Sequence, residues 1–228
     1  MALLQQSAVR NRLLATLAPE EFGRLAPALE PVPLPLQAVL IVPHQPIAQA
    51  HFVEDGLVSL VADSRAGRIA VGLTGREGFV GVPLALGAAS TPHTAIVQAR
   101  GAALRIPAGT LREALDASAG LRRVLGGYVQ SLIVHVGQTV YANADLTVEA
   151  RLARWILMSH DRLEQDELPL THEVLSKMLG VRRPTVTTAT HILEGAGMIR
   201  AQRGRITVID RAKLEDLAGV VYGDAGAG

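Results

Sequence analysis

The spacing of apolar residues changes character twice along this chain. Residues 8–30 read as one or two short helices, with Leu13, Leu14 and Leu17 in a small stripe and Pro19-Glu20-Glu21 as a helix-start signal. From Val32 to Pro107 the texture is short runs of Val, Leu and Ile broken by Gly and Pro. Runs at 39–42, 50–53, 57–61, 69–73, 95–99 and 103–106 are strand-like, with Glu54-Asp55-Gly56 as a tight turn between two of them. Six short strands at fairly regular spacing predict an antiparallel barrel or roll. Helical spacing then returns, first over Pro107 to Ala117 and then in a long helix from Leu121 to about Tyr141. There Leu121, Leu125, Tyr128, Leu132, His135 and Thr139 recur by four and three, while Val124, Ile133, Val134, Val136 and Val140 make the opposite flank apolar too. A helix apolar on two sides is expected to be buried on both, one side on the roll and the other on a partner chain. A core helix of a monomer is the alternative. Gly126-Gly127 weakens the helix by ~1 kcal/mol per glycine, or lets two backbones approach closely.

Asn143-Ala144-Asp145 reads as a break between domains. Thr147 caps the next helix, with Val148, Leu152, Trp155, Ile156 and Leu163 facing inward and Arg151, Arg154 and Arg162 outward. Trp155, the only tryptophan, is expected to be a structural anchor. Beyond it, Val174, Leu175, Met178 and Leu179 form one apolar stripe behind Thr171, a good N-cap, and Glu173, which suits a helix start. Gly180 ends that helix, and Pro184 fits the first turn of another. In this second helix Val186, Ala189, Thr190 and Leu193 fall on the core side, whereas Arg183, Thr187, Thr188 and His191 project from the other. A cationic, hydroxyl-bearing N-terminal half suits base edges and phosphates. Next, Ile206-Thr207-Val208 alternates as a half-buried strand, and Arg203-Gly204 turns back from the strand holding Ile199. Such a ribbon is a wing, with Arg203 and Arg205 at its tip.

Charge supports that assignment. Residues 168–211 carry seven basic and three acidic side chains, a net +4, although the 228-residue chain sums to only +1. Local charge of this kind recruits a polyanion. The absence of cysteine excludes disulfides, thiolate metal sites and thiol redox sensing. Arg10 and Arg12 interrupt the apolar start, and Pro33, Pro35, Pro43 and Pro46 break the most apolar stretch, so neither a signal peptide nor a membrane span is expected. A cytoplasmic location follows.

This order of elements, with Leu175-Ser176-Lys177-Met178-Leu179-Gly180-Val181-Arg182-Arg183-Pro184-Thr185-Val186-Thr187 and Phe52-Val53-Glu54-Asp55-Gly56-Leu57-Val58, resembles the Crp/Fnr family of bacterial transcription regulators. The fold class expected is α+β. An antiparallel, cyclic-nucleotide-binding-like β-roll (jelly roll) would occupy 1–117, a dimerisation helix and hinge 118–145, a winged helix-turn-helix 146–222 and a disordered tail 223–228. The resemblance implies a homodimer on a two-fold symmetric operator in double-stranded DNA, and RNA polymerase as a further partner. It implies that Arg183 reads guanine and that Arg182, Thr185 and His172 hold the backbone. Pro184 and Thr188 stand where the family has an acid and a second arginine, which leaves one guanine per half-site. The DNA-contact set is completed by Thr171, Thr187, His191, Arg203 and Arg205.

For the effector pocket the best match to the family pattern is Gly81-Val82 and His93-Thr94, which keeps Gly81 and Thr94 but lacks the carboxylate and the guanidinium. A histidine at 93 cannot grip a phosphate bidentately, so cyclic AMP is not the expected effector; a different small molecule, or none, is. No metal-ligand spacing links the seven histidines, and no nucleophile elbow or phosphate-binding glycine motif is present, so no catalytic or metal site and no cofactor is expected. The alternative from another class is a ligand-binding or protein-docking module whose winged helix contacts a protein. A metal-dependent hydrolase on the small barrel stands third.

Overall fold

In the N-terminal half, runs of Val, Leu and Ile pair into a sheet, and strand residues such as Phe52, Val97 and Ile106 share one buried core with helix residues such as Leu14, Leu25 and Leu121. This is seen in a computed structural model that describes residues 4–64 and 67–223. Chain contacts define two units, one from residues up to 60 with 74–132, the other from 61–73 with 133–228. From the chain start, α1 (Arg12–Thr16) and α2 (Pro19–Leu25) lead into β1 (Glu30–Leu34), β2 (Val39–Ile41), β3 (Gln49–Ser64), β4 (Gly67–Thr74) and β5 (Phe79–Val80), of which the end of β3 and nearly all of β4 fall in the second unit. Short α3 (Val82–Ala85), then β6 (His93–Pro107), α4 (Ala108–Ala117) and long α5 (Ala119–Asp145) follow. Among the described residues the strands make one sheet of order β1-β6-β3-β4, with β2 also on β6 and β5 on β3. Strand β1, which contains Pro31 and Pro33, was not among the expected strands; it lies at the sheet edge, where a missing N–H is tolerated. All three phenylalanines are buried here, Phe79 lying between Phe52 at 5.4 Å and Tyr128 at 5.5 Å.

Three expectations need correction. Glu54-Asp55-Gly56 is no turn, because β3 runs straight through it. Gly56 adopts φ 87° there, and a Cβ would sit 2.6 Å from the Ala99 carbonyl oxygen, so the glycine serves a close approach of two strands. Glu54 is used to hold the chain start, accepting the backbone N–H of Arg10 at 3.0 Å and of Asn11 at 2.9 Å. The runs 95–99 and 103–106 are likewise one strand, β6, passing through Gly101. Helix α5 continues over Asn143-Ala144-Asp145, where the Tyr141 hydroxyl donates to Asp145 at 2.8 Å across one turn, and it contains no proline or terminal glycine to end it earlier.

The second unit is built on α6 (Val148–Leu163), capped by the Thr147 hydroxyl. It continues through β7 (Glu167–Leu168), α7 (His172–Leu179), α8 (Arg183–Gly195), β8 (Ile199–Gln202), β9 (Arg205–Val208), α9 (Arg211–Ala218) and α10 (Val220–Gly223). Helices α7, α8 and α9 pack on α6, and the sheet order is β7-β9-β8. Trp155 is buried, its ring edge-on to His135 at 6.4 Å. Arg154, expected to face out, is instead 1% exposed. Its guanidinium donates to the Thr139 hydroxyl at 3.2 Å and the Val221 carbonyl at 3.4 Å, and burial lowers its pKa to about 10. Those two acceptors make the inward course possible. Gly223 closes α10; the remainder of the expected tail, 224–228, lies outside the described residues.

Candidate nucleic-acid interface and the cavity of the roll

The interface begins with two helix ends. Thr171 accepts the Val174 N–H at 3.1 Å and starts α7, and Gly180, at φ 64°, ends it in the left-handed conformation. Arg151 of α6 donates to the Leu179 carbonyl and so covers the last turn of α7. The chain re-enters helix at Arg182, with Pro184 in the first turn of α8 where its missing N–H costs nothing. Val186, Ala189, Thr190 and Leu193 are all buried, as their spacing predicts. That burial fixes the rotation of α8 and leaves Arg182, Arg183, Pro184, Thr185, Thr188 and His191 exposed on its outer side.

Two of the threonines are already engaged. Thr187 is half-buried; its hydroxyl donates to the Arg183 carbonyl at 3.2 Å and lies 3.1 Å from His172 Nδ1. Thr188 donates to the Pro184 carbonyl at 3.2 Å. His172 has its pKa lowered by burial first and then by the positive charges of Arg183 and His191, which reflects how densely positive this corner is. The wing follows as a hairpin in which Gln202 pairs with Arg205, turning at Arg203-Gly204 with Gly204 at φ 79°. Arg203 is exposed at the tip. Arg205 is exposed too, but forms an ion pair with Glu167 at 2.7 Å. Glu167 lies on β7, a two-residue strand with no periodic signal, so nothing in the sequence marks it as a counter-charge to the wing.

The second constellation is a cavity of about 170 Å³ inside the roll. It gathers Gly81, Val82 and His93, the residues expected there, but not Thr94, which is 3% exposed and points to the other side of β6. Other parts of its wall carry no signal in the sequence, among them Ile41, Val58, Phe79 and Ala95, the polar Thr74 and Thr91 and, from α5, Leu132. Arg76 and Glu77 do not line it; the Glu77 carboxylate accepts the Gly75 N–H at 3.1 Å instead. Gly81, at φ 127°, would press a Cβ to 2.9 Å from Ala50, so this tight corner of the cavity wall requires glycine. Among the described residues no cluster of three His, Asp or Glu could hold a metal ion, and no helix is long and apolar enough to cross a membrane.

Residues 150–217 match the Crp-like helix-turn-helix domain family. No curated protein sequence matches the chain at significance. In fold, it is similar to FixK2 from Bradyrhizobium japonicum, with TM-score 0.73 and 16% identity over 84% of this chain and 98% of that one. It is similar to a transcriptional regulator of the CRP/FNR family from Thermus thermophilus, with TM-score 0.68 and 24% identity over 83% and 98%. The c-di-GMP responsive global regulator CLP from Xanthomonas campestris also shares the fold, with TM-score 0.68 and 16% identity over 84% and 99%. The α+β fold of the Crp/Fnr regulators therefore extends over most of the chain, with the sequence match confined to its C-terminal domain.

Proposed function

We propose that this chain, a regulator of the Crp/Fnr type in fold, works as a homodimeric, sequence-specific DNA-binding transcription factor with a sensor roll that does not bind cyclic AMP in the usual way. The observation that carries the reading is the outer side of α8: two arginines and two threonines exposed in its first turns, backed by a fully buried inner side. In the major groove Arg183 would pair with guanine O6 and N7. Arg182, Thr185, Arg203 and Arg205 would bind phosphates, with Thr171 and His172 beside them and Thr188 and His191 next along the groove. Thr187, tied to His172, would hold the corner rigid.

Dimerisation is supported by α5. Gly126, Gln130, Ile133, Gly137 and Val140 recur by three and four along its exposed side, with Ile133 60% and Val140 63% exposed. A Cβ at Gly126, Gly127 or Gly137 would meet nothing within 4 Å. A row in which glycines and exposed apolar residues surround a single glutamine is what a closely approaching second α5 needs. RNA polymerase is the partner such a regulator would address, in a cytoplasmic setting.

Selection of bound duplexes from a random pool tests the reading. The expected product is a two-fold symmetric site with a guanine in each half, the halves ~34 Å apart, about one turn. Affinity should fall steeply with salt through counterion release. No retardation of any duplex at low salt would overturn it in favour of a winged helix that docks on protein.

A further inference from the structure

We infer that the cavity of the roll takes a small, uncharged, largely apolar molecule carrying at most one hydrogen-bonding group. The inference rests on reading the roll as a sensor, and it adds the chemical class of what is sensed.

Size is the first argument. At about 170 Å³ the cavity is close to the ~150 Å³ apolar void that admits benzene, and below the ~300–1,000 Å³ of sites for larger ligands. Charge is the second. Among the described residues no Arg, Lys, Asp or Glu lines it, so a phosphate or carboxylate would be stripped of water with no counter-charge. The start of α3 is also a reduced donor set, because Pro83 removes one N–H from its first turn and the Leu84 N–H is already bonded to the Gly81 carbonyl at 2.9 Å. The third argument is that the polar lining is largely satisfied from within. Thr74 pairs with the Tyr128 hydroxyl at 2.8 Å, and Thr91 with His93 Nδ1 at 3.2 Å. The second ring nitrogen of His93 is left for a single polar contact. The rest of the wall is aliphatic or aromatic, and burying an apolar guest there is favourable at ~25 cal/mol per Å². Leu132 makes one wall part of α5, so a guest would touch the helix whose exposed side is the proposed dimer seam.

Phenol and indole, with cyclic AMP and cyclic di-GMP as comparators, are to be titrated into the full chain and followed by methyl NMR. Saturable shifts at Ile41, Val58, Val82 and Leu132 are expected with phenol or indole and not with either nucleotide. Ala95→Leu should fill the void and weaken phenol binding by roughly tenfold or more. Val82→Phe, at a half-buried position, repeats the test should Ala95→Leu fail to fold. Nucleotide shifts at those methyls, no saturable shift from either aromatic, or unchanged binding in both folded variants would each overturn the inference. Retardation of duplex DNA by the same sample separates the two readings. DNA binding with no aromatic binding sinks the cavity assignment alone, and aromatic binding without DNA binding sinks the regulator reading alone.

Discussion

The roll and the C-terminal head solve opposite problems with the same kind of scaffold. In the roll, apolar residues face inward and enclose an uncharged void. In the head, the inward side of α8 is fully packed and the chemistry is on the outside, as arginines and hydroxyls. An outward cationic surface is specified by one helix and one hairpin, so a local run of residues is enough to write it. An inward cavity is specified by what several distant strands fail to fill.

The comparison is broken most directly by unfolding one region and watching the other. Phe79 is 1% exposed between Phe52 and Tyr128, and its replacement by Ala should cost the roll ~3–5 kcal/mol. Trp155 is the sole tryptophan and lies in the head, so its fluorescence reports the head separately. In Phe79→Ala, circular dichroism should show an early transition in urea while the Trp155 transition stays in place. A joint shift of both would mean that the two regions unfold as one.

Each region also buries one histidine. Burial lowers the pKa of His51 in the roll to about 4 and of His135 in the head to about 3, with Arg105 adding to the first and Arg162 and Arg154 to the second. Both values are depressed from 6.5, so the neutral rings contribute fully above that pH. Stability is then lost as pH falls from 6.5 toward 4 and 3. Each ring contributes a slope of at most ~1.4 kcal/mol per pH unit. Urea midpoints between about pH 7 and 4.5 should fall for the native chain, and His135→Leu should flatten the Trp155-reported limb while His51→Leu leaves it. An unaltered limb in His135→Leu would remove the buried histidine as its cause.

A smaller effect sharpens the surface side. Arg183→Ala should lose ~1–3 kcal/mol of discrimination at one guanine per half-site while keeping weak general binding. Competition between matched and mismatched duplexes measures it, and an unchanged ratio would reassign the base contact to another residue.

What could be read in advance follows the same division. The cap at Thr171, the left-handed Gly180, Pro184 in the first turn and the buried set on α8 were all legible, because each depends on neighbours within about four residues. Gly81, Val82 and His93 were found only as positions in a family pattern, and Thr94 was carried along although it lies on the opposite side of its strand. The cavity wall from Ile41 to Leu132 was not legible, since it depends on strand pairing across nearly a hundred residues. Glu54-Asp55-Gly56 misled for a related reason. Its turn-forming composition is outweighed by the carboxylate's bonds to Arg10 and Asn11 and by the strand pressed against Gly56. Arg154 went inward because acceptors from α5 and α10, invisible along α6 itself, were waiting.

The smallest expected effect concerns two arginines that composition cannot tell apart. Arg203 is exposed at the wing tip, whereas Arg205 is held by Glu167 at 2.7 Å. Both partners of that pair are more than half exposed, so the bond is weak, worth ~0–1 kcal/mol, but the carboxylate still repels a phosphate brought to Arg205. Arg203→Ala should therefore reduce the slope of log affinity against log salt by about 0.9, one phosphate contact, and Arg205→Ala by less. Glu167→Gln removes the competing charge without removing the side chain. It should steepen the slope and tighten binding a few-fold at low salt. That gain should vanish in Glu167→Gln combined with Arg205→Ala. Were Glu167→Gln to leave the slope unchanged, the wing would approach DNA through Arg203 alone, and the pair at 205 and 167 would be a strut of the three-stranded sheet.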